Sequence, residues 1–370
     1  MVLYKIYENF LGSIKMCDEE ILQTASQYDT DINTAQTIAV IESDDGPTAV
    51  FIAGKGKGKI TKKKIFCALV IFVAAALLAE FIFSVAFCSA LFSENGSQSF
   101  YEYAYGKNGI EVSEADKEWV SAKAESVFVE NHEGIKLHAL EIQNKNVSDS
   151  YVIICHQYGE SALSMGEYAK HFYELGFNII LPDLRGHGES GYDKASMGWE
   201  DRFDIVKWVE YLVNCNENAK IFLFGVSMGG SAVAMTAPEK MPENVKGVIA
   251  DSCYLSVWES VKGYLEYKKI PVFPTLNMAS AFCEFRNGWS FKDISTLAQA
   301  EKTELPILYI HGEYDVFVPV SQSNDIFEAC PSEKAEQVVI QDGEHARNLK
   351  ADEDEYWTAV DMFILNNIGL

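Results

Sequence analysis

A serine between two glycines has the setting that best suits a nucleophile. Residues 225–229 read Gly-Val-Ser-Met-Gly; an apolar run precedes them and small residues follow over 230–235. A serine hydroxyl is a weak nucleophile, so it needs a strained turn that exposes its oxygen to a base, and the two glycines leave room for that turn. The pattern predicts a strand, a tight turn and a helix, with Ser227 as the nucleophile. Taken alone, the five residues also fit a plain strand-to-helix turn.

A carboxylate and a histidine follow two later apolar runs. Asp315 comes after the run at 306–311, and His345 comes after the run at 337–340. Reactive groups of an α/β sheet gather on loops at the carboxyl ends of the strands, and the order serine, acid, histidine fits a nucleophile on such a turn. We predict a triad in which His345 takes the Ser227 proton and passes it to the leaving group, while Asp315 orients His345 and stabilises its cation. Taken singly, the aspartate fits a turn carboxylate and the histidine an exposed loop residue.

Acyl transfer also needs hydrogen-bond donors aimed at the developing oxyanion. One predicted donor is the N–H of Met228, the residue after the nucleophile. The second is expected from the loop at 156–160, after the third strand, where we predict the N–H of Tyr158. His156 and His187 are interpreted as residues that hold loops together by hydrogen bonds, and not as the base.

Hydrophobic runs alternate with helical patterns through residues 118–370, which we predict to be the catalytic domain. Eight runs read as strands, at 126–130, 135–142, 151–156, 177–182, 219–224, 247–251, 306–311 and 337–340. The first two form an antiparallel pair, and the other six are the short, continuously apolar runs of buried parallel strands. Helical spacing recurs at 167–175, 200–215, 228–240, 321–329 and 353–366. This alternation predicts an α/β fold with a mostly parallel sheet and helices on both faces.

The stretch at about 254–304, between the sixth and seventh strands, is too long for a simple connection and predicts a helical cap. Apolar residues of the cap are expected to pack against the sheet, and some of them to touch an acyl or side-chain group of the substrate. The candidates are Trp258, Phe273, Phe282 and Trp289. We therefore expect a substrate with an apolar part in preference to a sugar.

Residues 65–92 are apolar apart from Glu80 and serines, and they are long enough to span a bilayer. Six lysines between positions 55 and 64 precede this segment, which predicts a single-pass anchor with a cytoplasmic N-terminus and an extracytoplasmic catalytic domain. A cleaved signal peptide is the alternative, although the 64 residues that precede the apolar segment are far more than the short charged region that begins a signal peptide. Glu80 is expected to lie toward the outer membrane interface or to face a partner.

The segments on either side of the predicted span are expected to be accessory. Residues 1–64 are predicted to be a cytoplasmic segment with a β-hairpin, whose arms at 37–41 and 48–52 flank an Asp-Gly turn. Residues 93–117 are polar and rich in tyrosine, and we predict a tether.

Charge and cysteine usage exclude several classes of partner. Most of the net charge of −24 lies after residue 92, and a field of that sign repels nucleic acid and favours neutral or cationic substrates. The eight cysteines are scattered singly, without the paired spacing of a zinc site. We expect buried thiols, one disulfide being the alternative, and no metal.

Four stretches and the histidine carry a family resemblance. Residues 181–190 read Leu-Pro-Asp-Leu-Arg-Gly-His-Gly-Glu-Ser and residues 251–254 read Asp-Ser-Cys-Tyr. With the serine turn, the Asp315 segment and His345, they resemble membrane-anchored bacterial α/β-hydrolases of the serine aminopeptidase-like group, from about residue 114 to 370. The resemblance implies an eight-stranded α/β-hydrolase fold. It also implies hydrolysis of a carboxylic ester, amide or thioester through an acyl-serine, without metal or organic cofactor.

Two other functions stay open at this point. An aminopeptidase or acylaminoacyl-peptidase would need a carboxylate near Ser227 to bind an amine; the cap offers Glu259, Glu266 and Glu284. A non-catalytic, membrane-tethered binding module is the third reading, because Gln157 stands where many members of the group have glycine.

Overall fold

The chain divides after Ala79 into two units, Met1–Ala79 and Glu80–Leu370. A computed structural model describes residues 39–41, 49–51, 62–93, 96–192 and 194–369. In the first unit, strands β1 (Ala39–Ile41) and β2 (Ala49–Phe51) pair antiparallel, with Ala39 opposite Phe51. Both strands fall within the arms of the proposed hairpin, and its Asp-Gly turn lies outside the described residues.

Helix α1 (Lys62–Leu91) coincides closely with the predicted span. Within the described part of the chain it is the one helix long and apolar enough to cross a membrane. Its large apolar side chains are exposed from Ile65 to Ile82, as those of a lipid-facing helix would be. Further along, Glu80 accepts a hydrogen bond of 2.6 Å from the Thr275 hydroxyl, so this carboxylate has a partner within the second unit.

The second unit is built on an eight-stranded sheet. Its strands are β3 (Glu125–Glu130), β4 (Lys136–Ile142), β5 (Ser150–Cys155), β6 (Asn178–Pro182), β7 (Lys220–Val226), β8 (Val245–Asp251), β9 (Ile307–Gly312) and β10 (Ala335–Ile340). Across the sheet they run β10-β9-β8-β7-β5-β6-β4-β3. Strand β4 is antiparallel to both of its neighbours, and every other pair is parallel. The predicted α/β-hydrolase fold is confirmed.

Burial explains why the central strands read as unbroken apolar runs. All residues of β6 and β9 are buried, and so are all but the first residue of β7, because helices cover both faces of the sheet. The edge strand β3 instead alternates toward its end between exposed and half-buried positions. The continuous runs of β7 and β9 therefore mark two of the strands that carry functional loops at their carboxyl ends, whereas β10 is an edge strand buried fully only at Ile340.

Helices surround the sheet and form the cap. They are α2 (Gln98–Tyr105), α3 (Glu114–Lys123), α4 (Gly166–Glu174), α5 (Asp201–Cys215), α6 (Met228–Thr236), α7 (Val257–Tyr267), α8 (Val272–Asn287), α9 (Thr296–Ala300), α10 (Val320–Ala329), α11 (Asn348–Ala351) and α12 (Glu353–Asn367). Helix α6 ends at Thr236, earlier than its pattern predicts, because Pro238 lacks an N–H and cannot continue the helix. Helices α7, α8 and α9 occupy the stretch that the sequence assigns to a cap.

Residues 93–117 differ from the expected tether. Helix α2 buries Phe100 and Tyr105, both 2% exposed, and the Tyr264 hydroxyl donates to Ser99. Helix α3 begins at Glu114, ahead of the predicted domain start at 118. The tyrosines that make this stretch look polar are packed rings, so the ordered hydrolase unit extends well upstream of the predicted boundary.

Candidate active site

The serine turn has the geometry that its glycines predict. Strand β7 ends at Val226, helix α6 begins at Met228, and Ser227 between them has a φ of +56°, a conformation that non-glycine residues rarely adopt. A Cβ on Gly225 would meet the carbonyl oxygen of Gly229 at 2.2 Å, so glycine is required there. The strain holds the Ser227 side chain out of both flanking elements.

The structure brings Ser227, His345 and Asp315 together. The Ser227 Oγ lies 2.8 Å from Nε2 of His345, and Nδ1 of the same ring lies 2.7 Å from Oδ2 of Asp315. All three residues are buried, on the loops that follow β7, β9 and β10. Adjacent parallel strands end at the same edge of the sheet, which is why residues so distant in sequence meet.

Asp315 is surrounded by hydrogen-bond donors. Its Oδ1 accepts from the N–H groups of Phe317 and Val318 at 2.9 and 2.7 Å, and His311 Nε2 lies 3.3 Å from its Oδ2. Burial alone would raise the pKa of this carboxyl, but the charges of His345 and His311 and their hydrogen bonds outweigh burial and hold it well below its usual range. The carboxylate therefore stays ionised and fixes the proton of His345 on Nδ1, which leaves Nε2 free to accept the serine proton.

The two predicted oxyanion donors have different surroundings. Met228 is the first residue of α6, so its N–H has no partner within the helix and remains next to Ser227. The N–H of Tyr158 instead faces the hydroxyl of Tyr105, whose pKa it lowers. The Tyr158 side chain points elsewhere, because its hydroxyl donates to the carbonyl of Leu91 at 2.7 Å.

Tyr105 is the contact that sequence reasoning missed. Its hydroxyl lies 3.0 Å from Ser227 Oγ, and its ring stacks on that of His345 with centroids 5.6 Å apart. A signal was present, because Tyr101 and Tyr105 are four residues apart and share one helix face. That spacing predicts a helix face but not the residues that it touches.

His156 and His187 hold loops together, as expected. His156 donates from Nδ1 to the Gln157 carbonyl and accepts from the Leu184 N–H at Nε2, while His187 accepts from the Gly159 N–H. Burial is the largest cause that lowers the pKa of each ring to about 4. Both rings are neutral acceptors, so neither is the base at Ser227.

Gln157 fits the loop without the glycine that is usual there. The left-handed position of this loop is Gly159, with a φ of +77°, so the Gln157 backbone needs no such freedom. The Gln157 side chain is buried and its Oε1 has no hydrogen-bond partner.

The cap residues singled out from the sequence make other contacts. Phe273 is 77% exposed, Trp289 packs edge-on against Phe92 at 5.3 Å, and Lys292 lies over the Trp258 ring at 4.5 Å. Phe282 is half-buried. Besides Tyr105, an aromatic residue found beside the triad is Phe317, whose ring lies 4.6 Å from that of His345.

The cap carboxylates are also occupied or exposed. Glu259 pairs with Lys262 at 3.1 Å, and Glu266 and Glu284 face solvent. Their positions give no specific support to an amine-binding subsite at Ser227.

Part of the chain matches a known protein family, and known proteins are similar to it in sequence. The family described as serine aminopeptidase, S33, matches residues 147–295, which include Ser227 and end before Asp315 and His345. The uncharacterized protein YqkD of Bacillus subtilis is 31% identical over 219 residues, which are 58% of this chain and 71% of that protein. The uncharacterized membrane protein YNL320W of Saccharomyces cerevisiae is 25% identical over 232 residues, 62% of this chain and 76% of its own length.

Solved structures show the same fold. The esterase Pf2001 of Pyrococcus furiosus has a TM-score of 0.57 with this chain at 22% identity, and the alignment covers 70% of this chain and 98% of the esterase. At that identity the likeness describes the arrangement of the sheet and helices and not the substrate.

Proposed function

We propose a reaction for this chain, which is a serine hydrolase and belongs to the serine aminopeptidase S33 family of α/β-hydrolases. It cleaves a carboxylic ester, amide or thioester through an acyl intermediate on Ser227. The observation that carries the proposal is the continuous hydrogen-bonded chain from Ser227 Oγ through His345 to Asp315. Nucleophile, base and orienting acid are thus within reach of one another before any substrate binds.

The proposed reaction has two halves. Ser227 Oγ attacks the carbonyl carbon while its proton moves to Nε2 of His345, and the intermediate collapses when the bond to the leaving group breaks and His345 protonates that group. Water then attacks the acyl carbon, gives its proton to His345, and the acid product leaves as Ser227 regains the proton. Throughout, Asp315 stays ionised and stabilises the imidazolium.

We propose a neutral or cationic substrate with an apolar acyl part, and an ester as the first choice. The groups around Ser227 support this preference, because Met228, Phe317 and the Tyr105 ring are buried and carry no charge. The negative net charge of the chain disfavours anionic substrates. A short peptide or acylaminoacyl amide is the second candidate, favoured by the description of the family.

We further propose that α1 anchors the enzyme in the cell membrane with the catalytic domain outside the cytoplasm. Three observations support this: the length and apolarity of α1, the lysines ahead of its apolar stretch, and the name of the yeast relative, a membrane protein. Cleavage of the segment as a signal peptide is the alternative.

A fluorophosphonate probe tests the proposed nucleophile directly. The full chain in detergent should be labelled and Ser227→Ala should not, because the probe reacts only with a serine activated by a base. Ser321→Ala, at an exposed position of α10, is the matched control and should label like the parent. Equal labelling of Ser227→Ala and the parent would show that another residue is the nucleophile.

Substrate class is tested separately. A panel of p-nitrophenyl esters of increasing chain length is compared with aminoacyl naphthylamides, and we expect higher kcat/KM for the esters. Higher kcat/KM for the naphthylamides would favour the peptidase.

A further inference from the structure

The Tyr105 hydroxyl lies between Ser227 and the loop at 156–160. It is 3.0 Å from Ser227 Oγ, and on its other side it faces the N–H of Tyr158. We propose that Tyr105 is a catalytic residue whose phenol O–H is the second donor to the oxyanion, together with the N–H of Met228. The inference rests on the proposed role of Ser227 as nucleophile, and it replaces Tyr158 as the direct donor.

The directions of the hydrogen bonds follow from the ionised Asp315. Because Asp315 holds the His345 proton on Nδ1, Nε2 of that ring is an acceptor and takes the Ser227 proton. The remaining lone pairs of Ser227 Oγ can then only accept, so the hydroxyl of Tyr105 is the donor in the 3.0 Å contact. The bond from Tyr105 to Ser227 and the bond from Ser227 to His345 thus both donate toward His345.

Attack on a carbonyl changes which atom is the better acceptor. When Ser227 Oγ bonds to the carbonyl carbon, the negative charge appears on the oxygen of that same carbon, next to Oγ. The Tyr105 O–H then turns from Oγ to this oxyanion, and the phenol keeps its proton throughout. No bond at Tyr105 forms or breaks, so its contribution is a hydrogen bond stronger in the transition state than in the ground state.

The phenol is suited to remain a neutral donor. Burial is the largest influence on its pKa and raises it far above the usual value, which the hydrogen bond at Ser227 only partly offsets. Tyr105 therefore stays protonated at any pH at which His345 can act as a base. An ionised phenolate would repel the oxyanion instead.

Several contacts hold the phenol where it is. Arg347 Nη2 donates to the carbonyl of Tyr105 at 2.8 Å and to that of Gly109 at 3.0 Å, which fixes the end of α2. The ring lies between His345 and Tyr101, with the Tyr101 centroid at 4.9 Å. A donor positioned by packing and backbone contacts costs little reorganisation during the reaction, which is how oxyanion sites act.

The test compares Tyr105→Phe with the matched control Tyr103→Phe, which removes a phenol hydroxyl from the same helix. We expect kcat to fall by about 10² to 10³ in Tyr105→Phe with KM nearly unchanged, as for loss of one oxyanion donor. The control should stay near the parent. A trifluoromethyl ketone, which forms a hemiketal oxyanion on Ser227, should lose affinity for Tyr105→Phe by the same factor as kcat/KM falls.

The opposite result has a specific meaning. From its buried position beside Ser227, Tyr105 could instead block access of the substrate to the serine. Unchanged or higher turnover of Tyr105→Phe would therefore overturn the inference. If Tyr105→Phe does not fold, 3,5-difluorotyrosine at position 105 keeps the shape and strengthens the donor; kcat should rise, and an unchanged kcat counts against the proposal. A parent enzyme that neither turns over substrate nor labels at Ser227 would instead refute the proposed function.

Discussion

Arg347, two residues after His345, donates from Nη2 to the backbone carbonyl of Tyr105 at 2.8 Å. This bond ties the loop that carries the proposed base to helix α2, across 242 positions of sequence. The hydrolase unit therefore depends on a segment that precedes its first strand, and removal of residues 96–110 should impair the site as well as the fold.

The first prediction concerns the hydrogen bonds of Arg347. Arg347→Met keeps most of the apolar stem but loses the bonds to the carbonyls of Tyr105 and Gly109. Unfolding by urea should therefore show a loss of about 1–2 kcal/mol, since the side chain is partly exposed. The value of kcat should fall together with stability, because the Tyr105 hydroxyl is no longer held at Ser227. Arg286→Met, whose guanidinium donates a solvent-exposed hydrogen bond to Ser89, is the control and should change neither. A fully active Arg347→Met enzyme would mean that α2 is positioned without this contact.

The second prediction separates the roles within the proposed triad. Ser227→Ala and His345→Ala should each lower kcat by about 10⁶, and Asp315→Asn by about 10⁴, because such residues act as a unit and their effects do not add. Steady-state kinetics on the best ester of the panel measures this. His187→Ala should lower kcat much less, since the role of His187 is to accept a hydrogen bond from the N–H of Gly159 in a loop. If His187→Ala abolished turnover in a folded protein and His345→Ala did not, the base would be assigned wrongly.

The third prediction is a loss of stability in mild acid. His156 and His187 have pKa values of about 4 in the folded state because they are buried, whereas an unfolded histidine titrates near 6.5. The unfolded chain therefore binds more protons between these values, and stability should fall as pH drops from about 6.5 to 4, by roughly 1–3 kcal/mol for each ring.

Urea midpoints of the parent and of His187→Gln at pH 7.5 and 5 measure this effect. The glutamine retains an acceptor for Gly159 but does not titrate, so the variant should lose less stability on acidification. Asp315 does not contribute in this window, because its lowered pKa makes its contribution disappear only below about pH 4. An identical pH dependence in parent and variant would show that His187 titrates normally in the folded state.

The fourth prediction concerns the membrane. A variant whose single cysteine is Cys215, which is exposed in α5, should react with a membrane-impermeant maleimide in intact cells. A variant with Cys17 alone should react only after permeabilisation, because the lysines before the apolar stretch of α1 hold the N-terminus inside. The reverse pattern would contradict the proposed orientation, and a soluble, shortened protein would support signal cleavage.

The fifth prediction concerns the loop at 156–160. Gln157→Gly should retain activity, because the left-handed position is Gly159, and it should lose roughly 0.5–1 kcal/mol of stability through added chain entropy. Tyr158→Phe should be less stable than the parent, because it loses the bond to the Leu91 carbonyl. Thermal unfolding and kcat are measured on the same samples. A large loss of kcat in Gln157→Gly would show that the glutamine amide itself acts on the substrate or the oxyanion.

Local sequence alone determined the sheet and the residues of the proposed triad. Buried parallel strands have to be continuously apolar, so the central strands could be predicted from their runs of side chains. The turn around Ser227 admits only glycine at Gly225, so its pattern is visible in the sequence. Asp315 and His345 could be chosen because each follows a recognisable strand, and parallel strands bring their ends to one edge.

Only the tertiary structure decided the role of α2 and of Tyr105. A tyrosine is polar at one end and apolar along its ring, so the same residues fit a solvated tether or a buried helix face. Helical spacing shows which side chains share a face, but burial of apolar surface is non-directional and does not specify the partner. The contact between Tyr105 and Ser227, 122 residues apart, exists because helix α2 packs over the end of the sheet, which no local pattern specifies.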